Sequence, residues 1–179
     1  AWVNSKARKK FMFHWSSGSI SRTVCSAFSS KTKLKTAIAA CLELSSKGDC
    51  SKGPHGPIGD WDVSSVTDMS HMFVLMFARA RHFTADVSKW DVSRVTDMSR
   101  MFFRAESFND DLSKWDVSSV TGMQAMFGKA AAFNQKLCGA TWVHSKADKS
   151  DMFTGSSGSI QREVCKSAPT QATIQVTPD

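Results

Sequence analysis

Residues 90–102 read WDVSRVTDMSRMF, and the same words recur as WDVSSVTDMSHMF at 61–73 and WDVSSVTGMQAMF at 115–127. An internal repeat of this kind has to be read before any local feature, because it sets the architecture. Trp61, Trp90 and Trp115 mark steps of 29 and then 25 residues, and a degenerate fourth copy begins near Trp142 and ends at Met152 and Phe153. A second marker agrees: Phe83, Phe108 and Phe133 open FTADVSKW, FNDDLSKW and FNQKLCGATW at intervals of 25.

Periods of about 20–29 residues are those of leucine-rich repeats. Leu112, Trp115, Val117 and Val120 take the first, fourth, sixth and ninth places of L-x-x-L-x-L-x-x-N, as do Val87, Trp90, Val92 and Val95, and Ile58, Trp61, Val63 and Val66. Alternation around Trp115 and Val117 predicts a short strand with those side chains inward. The run from Met123 through Phe127 to Phe133 changes to three- and four-residue spacing, which predicts a helical return. The expected fold is an α/β repeat solenoid: leucine-rich-repeat-like coils, short parallel strands on one face, helical returns on the other, and an N-terminal cap helix. Trp61, Trp90 and Trp115 then stack in its core, with Met as flexible filler.

FNDDLSKWDVSSVTGMQAMF and WDVSRVTDMSRMF resemble the BspA-type leucine-rich repeat family of microbial surface proteins, over about Ile58 to Phe153. The resemblance implies a solenoid of 25-residue coils in a secreted or surface-anchored protein associated with adhesion and partner binding. It implies no enzymatic activity.

Outside the repeats, SKTKLKTAIAACLELSS (30–46) places Leu34, Ala37, Ile38, Cys41 and Leu42 at helical spacing behind Ser30 as N-cap. It predicts an amphipathic helix closing the first repeat, followed by a Gly/Pro-rich loop. A longer period overlies this one. Residues 2–25 align without gaps to 142–165 at an offset of 140, with 16 of 24 positions identical. The expected organisation is therefore the tail of a preceding module (1–25), a cap helix and loop (26–57), the repeat region with its C-terminal cap (58–165), and a Pro/Thr-rich linker (166–179). The chain reads as one unit of a tandem array, monomeric within a longer polypeptide.

The same period accounts for an odd number of cysteines. Cys41 with Cys50, and Cys138 with Cys165, are expected to pair, while Cys25 repeats Cys165 and is left unpaired because its partner would precede Ala1. Pairing places the protein in an oxidising compartment, extracellular or at the cell surface. The alternative is five reduced, buried thiols.

The net charge of +7, from 23 Lys and Arg against 16 Asp and Glu, permits an anionic partner. The excess is concentrated between Lys6 and Lys35, the repeats mix both signs, and no nucleic-acid-binding signature is present, so no nucleic-acid partner is expected. No apolar run reaches membrane-spanning length, and no membrane insertion is expected. No Cys/His cluster suggests zinc. No phosphate-binding loop, nucleophile elbow or HExxH motif occurs, so neither catalytic residues nor a cofactor or metal is assigned. His71 shares its repeat position with Arg100 and Ala125, so it belongs to no column of ligands.

What remains is the outward surface. Asp62, Asp91 and Asp116 lie between the inward Trp and Val of each copy, with Ser64, Ser93 and Ser118 two residues later and Lys89, Arg94 and Lys114 nearby. Stacking at ~5 Å would make neighbouring carboxylates repel by about 0.8 kcal/mol even in water. Hydrogen bonds from the serines, the adjoining lysines or a cation would offset this. The column then reads either as turn chemistry or as a face for a protein or glycan partner. Thr67, Thr96 and Thr121 form a further column, which gives the alternative of an ice- or polysaccharide-binding face.

Overall fold

The computed structural model describes residues 27–73 and 80–165. The expected preceding-module tail with Cys25, and the linker 166–179, lie outside these.

Ser30 starts the first element, as its hydroxyl accepts the amide of Lys33 at 3.4 Å and caps helix α1, Lys31–Leu44. The helix buries Leu34, Ala37, Ile38, Cys41 and Leu42. It ends where the Ser45 amide donates to the Cys41 carbonyl, and a disulfide from Cys41 to Cys50, with Cα atoms 5.4 Å apart, ties its last turn to the following loop. Lys31 fastens the first turn to the first repeat, reaching both carboxylate oxygens of Asp68 (2.9 and 3.0 Å) and the Ser70 hydroxyl (2.7 Å).

The expectation of a leucine-rich-repeat α/β solenoid has to be corrected. Beyond α1, the regular elements among the described residues are a single 3-10 turn at Ile58–Asp60, a short helix α2 (Ala140–Val143), and two two-residue strands, β1 (Lys136–Leu137) and β2 (Ser159–Ile160), paired in parallel. Among the described residues no sheet runs along the Trp segments and no row of helices returns from them.

The backbone hydrogen bonds give the reason. In the stretch read as strand, two amides of each copy close local turns. Trp61, Trp90 and Trp115 donate to the carbonyls of Ile58, Val87 and Leu112, and Val66, Val95 and Val120 to those of Val63, Val92 and Val117. These turns interrupt the run of amides that a ladder would need, and Val117 donates to a side chain, the Thr141 hydroxyl at 3.3 Å. In the stretch read as helix, alternate amides leave the segment altogether. Met98, Arg100, Phe102 and Arg104 donate to Gly122, Gln124, Met126 and Gly128 in the next copy, at 2.8–2.9 Å. Met123, Ala125, Phe127 and Lys129 do the same to Asp148, Ser150, Met152 and Thr154. An amide that bonds to the next copy cannot bond to the carbonyl four residues back, so no α-helix forms.

Successive copies are thus held in parallel register, with isolated bridges Asp68–Asp97, Asp97–Gly122 and Gly122–Asp148. This backbone turns through left-handed residues at fixed places in the copies: His71, Arg100, Ala125 and Asp151 have φ of 51–57°, and four residues on from the last three, Arg104, Lys129 and Gly155 have φ of 58–80°.

Side chains at equivalent positions pack together across the copies. Trp61, Trp90, Trp115 and Trp142 are all at most 4 % exposed. The indole N–H of Trp90, Trp115 and Trp142 donates back to the carbonyl of Ile58, Val87 or Leu112 in the copy before, so each buried donor is satisfied. Two columns of phenylalanine run alongside. Phe73, Phe102, Phe127 and Phe153 stack at 5.2–5.7 Å, Phe83, Phe108 and Phe133 at 6.0 Å, and Phe102–Phe108 and Phe127–Phe133 join the columns at 4.0 and 3.9 Å. Met69, Met98 and Met123 fill the space beside them, fully buried. At the C-terminal end a second disulfide joins Cys138 to Cys165, with Cα atoms 5.0 Å apart.

Candidate partner-binding surface

Every exposed carboxylate column is built from one local unit, Asp-x-Ser. In each, the Asp Oδ1 accepts the amide of the Ser two residues on, which closes a small side-chain turn. Asp62 takes the Ser64 amide (3.1 Å) and hydroxyl (2.6 Å), and Asp91 takes those of Ser93 at 3.1 and 2.7 Å. Asp116 takes the Ser118 amide at 3.0 Å. Hydrogen bonds from Ser118 hold the Asp116 carboxyl below its usual range. All three aspartates are exposed, as are Arg94, Lys89 and Lys114, while Ser64 and Ser93 are partly covered and Ser118 is open.

Of the three ways to offset the column's repulsion, the structure uses the serines. Among the described residues, Lys89 and Lys114 form no ion pair with Asp91 or Asp116, and Lys89 instead acts electrostatically on Asp86, whose carboxyl is held low chiefly by Ser88. No three His, Cys, Asp or Glu side chains among the described residues converge as a metal-binding group. Because the serines bond only Oδ1, the Oδ2 atoms of Asp62, Asp91 and Asp116 have no partner among the described residues.

A second carboxylate column, not singled out from the sequence, follows the bridge line. Asp68 is clasped by Lys31. Burial pushes its carboxyl up, but hydrogen bonds from Lys31 and Ser70 outweigh this and hold it low. Asp97 and Asp148 make the same turns with Ser99 and Ser150. Gly122 stands where an Asp would come between them. Gln124 fills that place, accepting the Ser99 hydroxyl and donating to Asp148 Oδ2 at 2.6 Å. The readable signal was the repeated D-x-S spacing and its single break at Gly122.

The Thr column is also present. Thr67, Thr96 and Thr121 are exposed, and the hydroxyls of Thr96 and Thr121 each donate to the carbonyl of the preceding Thr at 3.1 Å. Those protons serve the inter-repeat contact.

Asp110 differs from the other acids. Half-buried, it reaches across to accept the Val87 amide at 2.9 Å. Burial raises its carboxyl, the Val87 hydrogen bond lowers it in part, the charge of Asp86 raises it, and together they leave it at about 6.

Residues 45–165 match the model of the family described as "Mycoplasma protein of unknown function, DUF285". The match covers more than half of the chain, which therefore belongs to that family. No curated protein and no solved structure matches it. The two disulfides are compatible with an extracellular, oxidising location. No helix among the described residues is long and apolar enough to cross a membrane.

Proposed function

We propose that the chain is a non-enzymatic interaction module of a secreted or cell-surface protein, engaging a protein or glycan partner across the Asp62–Asp91–Asp116 surface. One observation carries this reading. Three carboxylates at equivalent places in successive repeats are each fixed by their own Ser turn through Oδ1, and each keeps Oδ2 turned to no other group among the described residues. Acceptors held this way lose little freedom when a donor arrives, so a partner's N–H, hydroxyl or ammonium group meets a surface already ordered. Ser64, Ser93 and Ser118, with Lys89, Arg94 and Lys114 at the margin, supply the surrounding polar groups. Several weak, equivalent contacts along one face would add by avidity. The resemblance of the repeats to BspA-type surface proteins supports adhesion as the setting.

The test is the triple change Asp62→Asn, Asp91→Asn, Asp116→Asn, screened with the parent chain against immobilised matrix proteins and a glycan array. Asn keeps an Oδ1 acceptor for each Ser amide, so the melting temperature should hold, while binding to any partner captured by the parent should fall at least tenfold. Loss of binding only in proportion to lost folding would mean that the column is turn chemistry alone.

A further inference from the structure

Hydrogen bonds between copies have a direction. In the segment after each Thr, alternate amides of one copy donate forward to carbonyls of the next, as Met123, Ala125, Phe127 and Lys129 do to Asp148, Ser150, Met152 and Thr154 at 2.8–2.9 Å. The carbonyls of the last copy are thereby used. Its equivalent amides, those of Lys149, Asp151, Phe153 and Gly155, point onward, and none has an acceptor among the described residues. Asp151 and Gly155 are exposed, and Phe153 is only partly covered, whereas Phe73, Phe102 and Phe127 in the same column are at most 1 % exposed. The last copy therefore presents a row of four donors at alternate residues beside a half-open aromatic face. An unpaired backbone edge of this kind is a template for strand addition.

We infer that this C-terminal edge binds a peptide segment of another polypeptide that takes the same turned backbone course as the internal copies and lies parallel to residues 149–155. It offers carbonyls at alternate residues and an aromatic side chain over Phe153, the chemistry of the V-T-x-M-x-x-M-F segment itself. Continuity with the existing interfaces sets both direction and register, since each internal copy is held in this way by the one after it. The edge of a second copy is a poor occupant on two counts. Two C-terminal edges brought together oppose donor to donor. The matching acceptor row, the carbonyls of Asp68, Ser70 and Met72, belongs to a copy in which Ser70 and Met72 are buried and Lys31 of α1 clasps Asp68 and Ser70. The cap that closes one end prevents head-to-tail growth.

The experiment titrates the isotope-labelled full chain with a synthetic peptide of residues 119–129, SVTGMQAMFGK. Binding should saturate and slow amide exchange at Lys149, Asp151, Phe153 and Gly155 by about tenfold or more, leaving the internal repeats unchanged. The same peptide carrying Phe127→Ala should bind about tenfold more weakly through loss of the aromatic contact. Unchanged exchange at these four amides with millimolar peptide would overturn the inference. So would equal binding of a scrambled peptide, or protection of the same amides in peptide-free protein that grows with protein concentration, which would make a second copy the occupant.

Discussion

Replacing Asp110 with Asn should stabilise the protein at pH 8 and leave it unchanged at pH 4. The Asp110 carboxyl is half-buried beneath the Val87 amide, with Asp86 close by, and its pKa stands at about 6 against an ordinary 3.8. Because the folded value is the higher one, the folded state holds this proton more tightly than the unfolded chain. The group's relative stabilisation is complete below 3.8 and is lost as pH rises through 6, so at pH 8 the full penalty of an ionised, half-buried acid is present. A shift of this size, at about 1.36 kcal/mol per unit, sets a ceiling near 3 kcal/mol. Solvent reaches part of the side chain and screens the charge, which brings the expected gain to about 1 kcal/mol. Asn retains an oxygen for the Val87 amide and carries no charge at either pH. Urea unfolding of both proteins at pH 4 and pH 8, with disulfides intact, reads the difference directly. A gain of equal size at both pH values, or a loss at pH 8, would show that desolvation of the carboxylate is not what governs this site.

Trp90 is 3 % exposed and its indole donates to the Ile58 carbonyl at 2.9 Å; Trp90→Ala should cost about 3–5 kcal/mol in urea unfolding. Gly122→Asp would put a carboxylate between Asp97 and Asp148, with its Cβ 3.0 Å from Asp97 Oδ1 and 3.2 Å from Gln124 Oε1. Two repulsions at ~5 Å amount to about 1–2 kcal/mol, so the melting temperature should drop at pH 7 and recover in part at pH 3. Arg100 sits at φ 55°: Arg100→Val should destabilise by about 1–2 kcal/mol while Arg100→Gly should match or exceed the parent, as thermal melts would show.

The sequence was legible where side chains alone decide the outcome. Spacing identified Trp61, Trp90 and Trp115 as interior, and Ser30 followed by Leu34, Ile38 and Leu42 as a capped amphipathic helix; all of these side chains except the cap are buried. It misled where the backbone decides. Trp-x-Val alternation is the pattern of a strand, but the amides of each Trp and of Val66, Val95 and Val120 close turns three residues back, and the Ser64, Ser93 and Ser118 amides go to the neighbouring aspartates. Met123 to Phe133 has the spacing of a helix face, yet its alternate amides cross to the next copy through a left-handed residue that is His, Arg, Ala or Asp in turn. No side-chain signature marks that position. The exposed Asp column was visible as a pattern, whereas its use of one oxygen each, the Lys31 clasp and the place of Gln124 needed coordinates.

The two phenylalanine columns have a consequence for how this chain can change. From Phe102 to Phe108 and from Phe127 to Phe133 the sequence advances six residues, but from Phe73 to Phe83 it advances ten. The four extra residues account for the whole difference between the 29- and 25-residue steps. Even so, Phe73 still stacks on Phe102 at 5.2 Å and Phe83 on Phe108 at 6.0 Å. An insertion between the columns is therefore absorbed where it occurs and is not passed on to the next copy. Over the first three copies the length is the same from each Trp to the first Phe, and from Phe83 and Phe108 to the next Trp, while it differs between the two phenylalanines. The fourth copy departs from this, with nine residues from Phe133 to Trp142 and eleven from Trp142 to Phe153. Loops of new size, and whatever recognition they carry, can be acquired between the two phenylalanines without altering the packing on either side.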